Sequence, residues 1–175
     1  SLLNTLKRPY APKKVVLPLY GGPGAEVSPC VNVGDPVKLG QKIGEPKGPE
    51  GVPVYAGLAG KVRSIAPVLL PGGQKCLAIE IVNDGEPAQA QPAEIKKDPE
   101  GLSREDLLNL FRDQGLLTTD EKMEPIHAQI RGSAPRRTIV INGCEPEPYV
   151  TSEQVLLTFH PVEVLKGAEL LRKAA

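Results

Sequence analysis

The sequence contains no tryptophan and a single methionine, and aromatic residues make up only 3% of it. Its core therefore has to be built from aliphatic side chains, which an apolar fraction of 40% in 175 residues allows. The longest apolar runs, such as residues 15–19, are much shorter than the roughly 20 residues that span a bilayer. We therefore expect no direct insertion into a membrane.

The chain also lacks net charge, because its 21 basic residues are balanced by 21 acidic ones. No net field is available to attract a polyanion. Basic residues cluster at 7–8, 13–14 and 136–137, but no aromatic residues are interleaved with them. This pattern indicates solvated surface rather than a nucleic-acid interface.

Cysteine is scarce as well, and the three residues Cys30, Cys76 and Cys144 are far apart. Without a Cys-x-x-Cys pair, we expect neither a zinc site nor an iron–sulfur cluster to assemble from this chain alone. The odd number of cysteines fits a reducing, cytoplasmic setting. His127 and His160 have no companion ligands at metal-binding spacing.

Turn-forming residues, in contrast, are abundant, with 18 glycines and 19 prolines. This composition predicts short strands joined by turns. Residues 31–41 alternate apolar and polar positions, and residues 52–56, 60–65 and 77–82 are further strand candidates. Leu77, Ile79 and Ile81 fall on one face with period two. We predict an all-β domain over residues 15–84, preceded by an extension over residues 1–14.

A stretch rich in Pro, Ala, Gln and Glu, residues 85–99, is predicted to be a linker. It leads into a second region, residues 100–175, that begins with a well-marked helix. Ser103 is the expected N-cap, with Asp106 three residues later, and Gly115 ends the helix. The expected buried stripe of this helix consists of Leu107, Leu108, Leu110 and Phe111.

Two more helices are predicted near the end of the chain. Thr151 is the expected cap of the first, with Gln154 as its partner, and Pro161 begins the second. The apolar positions of the second helix with helical spacing are Val164, Leu165, Ala168 and Leu171.

The most informative segment is residues 138–141, Thr-Ile-Val-Ile, followed directly by Asn-Gly-Cys-Glu-Pro-Glu-Pro-Tyr. Four β-branched residues in a row predict a strand covered on both faces. In open α/β sheets, ligands bind beyond the carboxyl ends of such strands, where this acidic loop would lie. Helix, strand, loop and helix together predict part of a Rossmann-like domain.

These residues resemble the signature of the RnfC family, a component of the Rnf electron-transport complex that is similar to cobalamin reductases and to the flavin subunit of respiratory complex I. The resemblance is most specific from residue 137 to the end and extends to the glycine-containing turns of residues 31–65. It implies a barrel-sandwich hybrid domain of the lipoyl and biotinyl type, followed by the Rossmann-like domain.

The resemblance also implies that FMN, NADH and 4Fe-4S clusters belong to the full-length protein. It places Asn142, Glu145, Glu147 and Tyr149 at the flavin and nicotinamide pocket. From the residues alone, the two glutamates could equally form a solvated acidic turn. Cys144 could likewise face the pocket or be a small core residue.

The chain departs from the family where a loop of the form G-x-G-G-A-x-F-P-T-H would cradle phosphate. Aligned on Pro125 and His127, residues 118–127 contain none of these glycines, and Asp120 and Glu121 stand where an anion would be approached. We therefore expect no cofactor in this chain and no catalysis by it alone. Its expected role is that of a scaffold bound to other subunits, on the cytoplasmic side of the cell membrane.

Two alternatives remain open at this point. One is an interaction module without redox chemistry, and the other is an acyl or biotin carrier with Lys47 as the attachment site. Prolines on both sides of Lys47 and the absence of a Met-Lys-Met or Asp-Lys-Ala setting weaken the carrier hypothesis. The chain starts at Ser1 and stops within a helical pattern, so we expect a fragment whose remainder holds the redox centres.

Overall fold

The computed structural model describes residues 12–70, 73–85, 101–119, 122–133, 138–145 and 148–175. The seven strands in these ranges are β1 (Lys14–Pro18), β2 (Val27–Pro29), β3 (Pro36–Val37), β4 (Lys42–Pro46), β5 (Val54–Tyr55), β6 (Gly60–Leu69) and β7 (Lys75–Val82). The helices are α1 (Arg104–Asp113), α2 (Ile126–Arg131), α3 (Ser152–Phe159) and α4 (Pro161–Ala174). Residues 86–99 of the predicted linker and residues 1–11 of the predicted extension lie outside the described residues.

The strands form two antiparallel sheets, a larger one in the order β1-β7-β6-β3 and a smaller one in the order β2-β4-β5. Aliphatic side chains from both sheets form one core, in which Ile43 of the small sheet and Ile79 and Ile81 of the large sheet have no exposed surface. The predicted inward face of β7 is thus correct for these two isoleucines. Leu77 is 40% exposed because it lies toward the outer end of the β6–β7 hairpin, where Leu69 is also exposed.

Close approach of the two long strands depends on glycine at the start of β6. A Cβ atom added to Gly60 would lie 2.0 Å from the carbonyl oxygen of Val82 at the end of β7. The φ of Gly60 is +156°, which L-residues rarely adopt. No side chain fits here without separation of the strands.

The helices follow the sequence signals to different degrees. Ser103 caps α1 as predicted, since its hydroxyl accepts the N–H of Asp106 at 3.2 Å, and Gly115 ends the helix with a φ of +71°. Leu107, Leu108 and Phe111 are buried in a second core, while Leu110 is partly buried against it.

The two helices predicted near the end of the chain are present, but fewer of their side chains are buried than expected. Pro161 begins α4 as predicted, whereas Leu165 is 65% exposed and the buried residue of this helix is Ala174. No residue of α3 is buried. Within the described residues, no helix is both long enough and apolar enough to cross a membrane.

The prediction of a buried strand at residues 138–141 is wrong for this structure. These residues have no regular secondary structure, and Val140 and Ile141 are 84% and 53% exposed. A strand requires a neighbour that takes up its N–H and C=O groups. Beyond residue 100 the described residues offer no strand, only an isolated bridge between Leu117 and Pro125.

We expect Gly60→Ala to lower the free energy of unfolding by about 3 kcal/mol, because the methyl group meets backbone that cannot move independently. Urea denaturation followed by far-UV circular dichroism measures this. Gly57→Ala is the matched control, since its Cβ would meet only Leu17 at 3.9 Å. Equal stabilities of the two variants would contradict the packing argument.

Candidate functional site

The acidic loop before α3 is the site predicted from sequence, and the structure describes it except for residues 146–147. Asn142 is used locally, because its Oδ1 accepts the backbone N–H of Cys144 at 3.0 Å. Cys144 itself is exposed and is therefore not a core residue. Glu147 lies outside the described residues.

Glu145 caps α3. Its Oε1 accepts the backbone N–H of Gln154 at 2.9 Å, the bond that the Thr151 side chain was predicted to make. Thr151 occupies the N-cap position but makes no side-chain cap bond. A carboxylate is well suited to this place because the N-terminus of a helix carries partial positive charge.

The second oxygen of Glu145 makes no such bond within the described part of the chain. Oε2 is out of contact with solvent and receives no hydrogen bond from a donor among the described residues. The pKa of Glu153 is lowered, first by a side-chain hydrogen bond with Glu145 and second by the hydroxyl of Ser152, which donates at 2.6 Å.

Tyr149, the fourth predicted residue, is not held in place by this loop. Its side chain is fully exposed, and its φ of +67° is rare for an aromatic residue. Asn142 and Glu145 are thus engaged in local hydrogen bonds, and Tyr149 is exposed. Their placement at a flavin and nicotinamide pocket stays a prediction.

The segment that replaces the glycine loop is closed on itself. The N–H of Thr118 donates to the carbonyl of Glu124 at 2.8 Å, and the Thr118 hydroxyl accepts the N–H of Glu124 at 2.9 Å. Asp120 and Glu121 lie outside the described residues. The amide groups of Thr118 and Glu124 that could have faced a phosphate are thus used within the turn.

Lys47, the candidate attachment site of the carrier hypothesis, is engaged with its neighbours. Its Nζ lies 2.6 Å from Oε2 of Glu26, and this contact lowers the pKa of the Glu26 carboxyl. Two residues further on, the carbonyl of Pro49 contacts the second region of the chain through His127, at 2.9 Å from Nε2.

Sequence reasoning missed the contact between the two halves of the structure. We call the described residues up to 85 the barrel-sandwich unit and those from 101 onward the helical unit. The Tyr55 hydroxyl donates to the carbonyl of Asp113, and the Tyr20 hydroxyl donates to the carbonyl of Lys122 at 3.2 Å. Burial raises the pKa of both phenols.

An apolar cleft of about 480 Å³ lies between the two units. Its walls include the rings of Tyr20 and Tyr55 and the side chains of Leu70, Leu117 and Met123. Met123 adopts a φ of +48° and is 45% exposed. In the sequence, Tyr20 and Tyr55 stand among prolines and valines. This pattern does not predict that their hydroxyls contact the helical unit.

Among the described residues, no three His, Cys, Asp or Glu side chains come together as a metal site. The structure therefore offers no described set of ligands to which an ion could be assigned.

We expect Glu145→Ala to weaken α3 locally by about 1 kcal/mol, since an orphan N–H loses its acceptor. Hydrogen exchange of the Gln154 amide should accelerate about fivefold, because about 1 kcal/mol corresponds to about a fivefold change in the opening equilibrium. Glu145→Gln retains an acceptor oxygen and should leave the exchange rate close to wild type. Unchanged exchange in both variants would show that Glu145 does not cap the helix.

Comparison with known proteins gives two consistent results. Residues 3–86 match the family model described as the RnfC barrel sandwich hybrid domain. The predicted barrel-sandwich hybrid domain is thus confirmed, whereas the Rossmann-like part stays a prediction.

The chain is also similar to curated RnfC proteins over nearly its whole length. It is 29% identical over 93% of its length to the C subunit of the proton-translocating ferredoxin:NAD(+) oxidoreductase complex of Clostridium ljungdahlii, covering 36% of that protein. It is 28% identical over 93% of its length to the Na(+)-translocating counterpart of Acetobacterium woodii, covering 37%. It is 31% identical over 98% of its length to the C subunit of the ion-translocating oxidoreductase complex of Pectobacterium atrosepticum, covering 25%.

The chain thus spans between a quarter and just over a third of the length of these relatives. The resemblance predicted from the loop and turn motifs is confirmed. Residues 3–86 match the family of RnfC barrel sandwich hybrid domains, and the chain as a whole is similar to C subunits of ion-translocating ferredoxin:NAD oxidoreductase complexes.

Proposed function

We propose that this chain is a scaffold component of a membrane-associated electron-transport complex of the ferredoxin:NAD oxidoreductase type. It would act on the cytoplasmic side, held at the membrane by the other subunits. Similarity to RnfC proteins along nearly the whole chain supports the assignment to such a complex. The scaffold role is supported by the local hydrogen bonds that Asn142 and Glu145, two of the predicted cofactor residues, make.

The single observation that carries the scaffold role is the capping of α3 by Glu145. A carboxylate committed to a helix end is not available for ribose or flavin donors. The closed turn at Thr118 and Glu124 adds to this, because these backbone amides already have acceptors. We therefore propose that the described residues bind neither FMN nor NADH.

An exposed apolar surface supports the proposal that further polypeptide packs here. We call this surface the α3–α4 surface; its residues, each at least 37% exposed, are Val140, Ile141, Tyr149, Val150, Leu156, Leu157, Phe159, Val162 and Leu165. At 84% and 53% exposure, covering Val140 and Ile141 alone would contribute about 2–4 kcal/mol. That is a large share of the roughly 5–15 kcal/mol by which a domain is stable.

Residues 138–141 are the natural place for such packing. No backbone hydrogen bond joins them to another described residue, and adjacent β-branched side chains are exposed. We propose that this segment packs against further strands or helices of the assembled complex. The relatives, about three to four times as long as the matched segment, have the polypeptide to supply them.

Titration of the purified chain with FMN, followed by flavin fluorescence, tests the cofactor part of the proposal. We expect no saturable quenching in the micromolar range, because the loop amides and the Glu145 carboxylate are already bonded. An RnfC protein with the intact glycine loop is the positive control. Saturable micromolar binding to this chain would overturn the loss of flavin binding without affecting its membership of the complex.

Co-expression with the other subunits of the complex from the same host tests membership. We expect the wild-type chain to co-purify with them. The double variant Val140→Asp, Ile141→Asp should not co-purify, because charges on the α3–α4 surface oppose its burial against other subunits. Val16→Asp is the matched control, since Val16 is 49% exposed on β1 of the barrel-sandwich unit. Failure of the wild-type chain to co-purify would refute the assignment, and equal recovery of all variants would refute this surface.

A further inference from the structure

The cleft between the two units has the size of a small-molecule site. Its volume of about 480 Å³ falls within the range of roughly 300–1,000 Å³ that is usual for such sites. It corresponds to the volume of roughly 16 water molecules in the liquid. Its walls come from both units, since Leu70 belongs to the barrel-sandwich unit and Leu117 to the helical unit.

Hydrogen bonds between the units hold the two aromatic walls of the cleft in place. The Tyr55 hydroxyl donates to the carbonyl of Asp113 at the end of α1, and the Tyr20 hydroxyl donates to the carbonyl of Lys122. The chain after α1 passes close to the Tyr55 ring at Gly115, where an added Cβ atom would lie 3.5 Å from that ring. The rings are thus fixed before a ligand arrives, which reduces the entropy that binding costs.

The wall that the helical unit contributes is held by its own backbone. Met123 lies in the turn that is closed by the two bonds between Thr118 and Glu124. Leu117 forms an isolated bridge with Pro125 in the same turn. Both lining side chains are therefore carried by hydrogen-bonded backbone, and the cleft exists without a ligand.

The chemistry of the lining indicates an uncharged ligand. Among the described residues that form it, every side chain is apolar or aromatic apart from Gln74, and none carries a charge. A charge that is buried without a partner loses its solvation and gains nothing in return. This separates the cleft from a nucleotide site, where phosphate requires amide donors or cations.

The few polar atoms of the cleft favour a small molecule over a polypeptide. Each phenol oxygen donates one hydrogen bond and keeps lone pairs that can accept another. Gln74, which is exposed, adds one amide group. A polypeptide segment would bring an N–H and a C=O at almost every residue, more than these groups can satisfy. The rings of Tyr20 and Tyr55 favour a ligand that is itself a ring.

We propose that this cleft is a binding site for an uncharged, ring-bearing small molecule with few polar groups. The ligand contacts the rings of Tyr20 and Tyr55 and the apolar side chains of Leu70, Leu117 and Met123, and it displaces water from their surfaces. Because the walls belong to different units, the bound ligand also joins the barrel-sandwich unit to the helical unit.

Titration of the chain with the uncharged dye N-phenyl-naphthylamine tests the proposal, because the fluorescence of this dye increases in apolar surroundings. We expect saturable binding at micromolar concentrations. Anilinonaphthalene sulfonate, the same ring system with one added sulfonate, should bind at least about tenfold more weakly, because its charge meets no partner in the cleft. Absence of saturable binding of the uncharged dye, or equal affinity for the two dyes, would overturn the proposal.

Adjacent leucines provide a matched pair of variants on each wall. Leu70→Asp and Leu117→Asp place a charge in the lining and should each weaken binding of the uncharged dye by at least about tenfold. Leu69→Asp and Leu116→Asp are the controls, since these leucines are 66% and 40% exposed and lie outside the lining. Both controls should keep the affinity of the wild type.

The test does not depend on the folding of any one variant. If one lining variant does not fold, the pair on the other wall decides, and the comparison of the two dyes needs no variant. Leu157→Asp changes the α3–α4 surface, which could also attract an apolar dye, and should leave the affinity unchanged. Equal affinity of lining and control variants, or loss of binding in Leu157→Asp alone, would place the dye elsewhere and overturn the proposal.

Discussion

The packing of the two sheets against each other is the interaction on which the rest of the structure depends. Ile43, Ile79 and Ile81 meet in the centre without exposed surface, and this aliphatic core forms without tryptophan or phenylalanine. The sheets in turn position the groups that reach the helical unit, namely the carbonyl of Pro49 and the hydroxyls of Tyr20 and Tyr55. The helical unit contributes a smaller core of its own, so its placement relies on these few directional contacts.

The acidic loop shows how a family motif can persist while its residues serve another purpose. Here Glu145 closes the N-terminus of α3, and Asn142 stabilises its own turn. Both are bonds that a short polar side chain makes whenever a backbone N–H is nearby and unpaired. These local bonds account for the positions of the two side chains without a ligand.

Sequence is a reliable guide where the deciding interactions are local, and a poor one where they are distant. The cap at Ser103 and the helix end at Gly115 depend on residues a few positions apart, and both are predictable. Residues 138–141 have the composition of a buried strand, but a strand also needs partners, which the described residues do not supply. His127 has no companion metal ligands in the sequence, and no sequence pattern links it to a carbonyl 78 residues earlier, so its contact could not be predicted.

The contact between Gly22 and Pro125 has a consequence for how this protein can vary. Any side chain at position 22 would collide with the Pro125 ring, and its φ of +117° already disfavours residues other than glycine. Position 22 therefore cannot change freely while Pro125 is kept. A first half that carries a side chain at position 22 would collide with a second half that keeps Pro125, so this one contact restricts which halves of homologous chains can be combined.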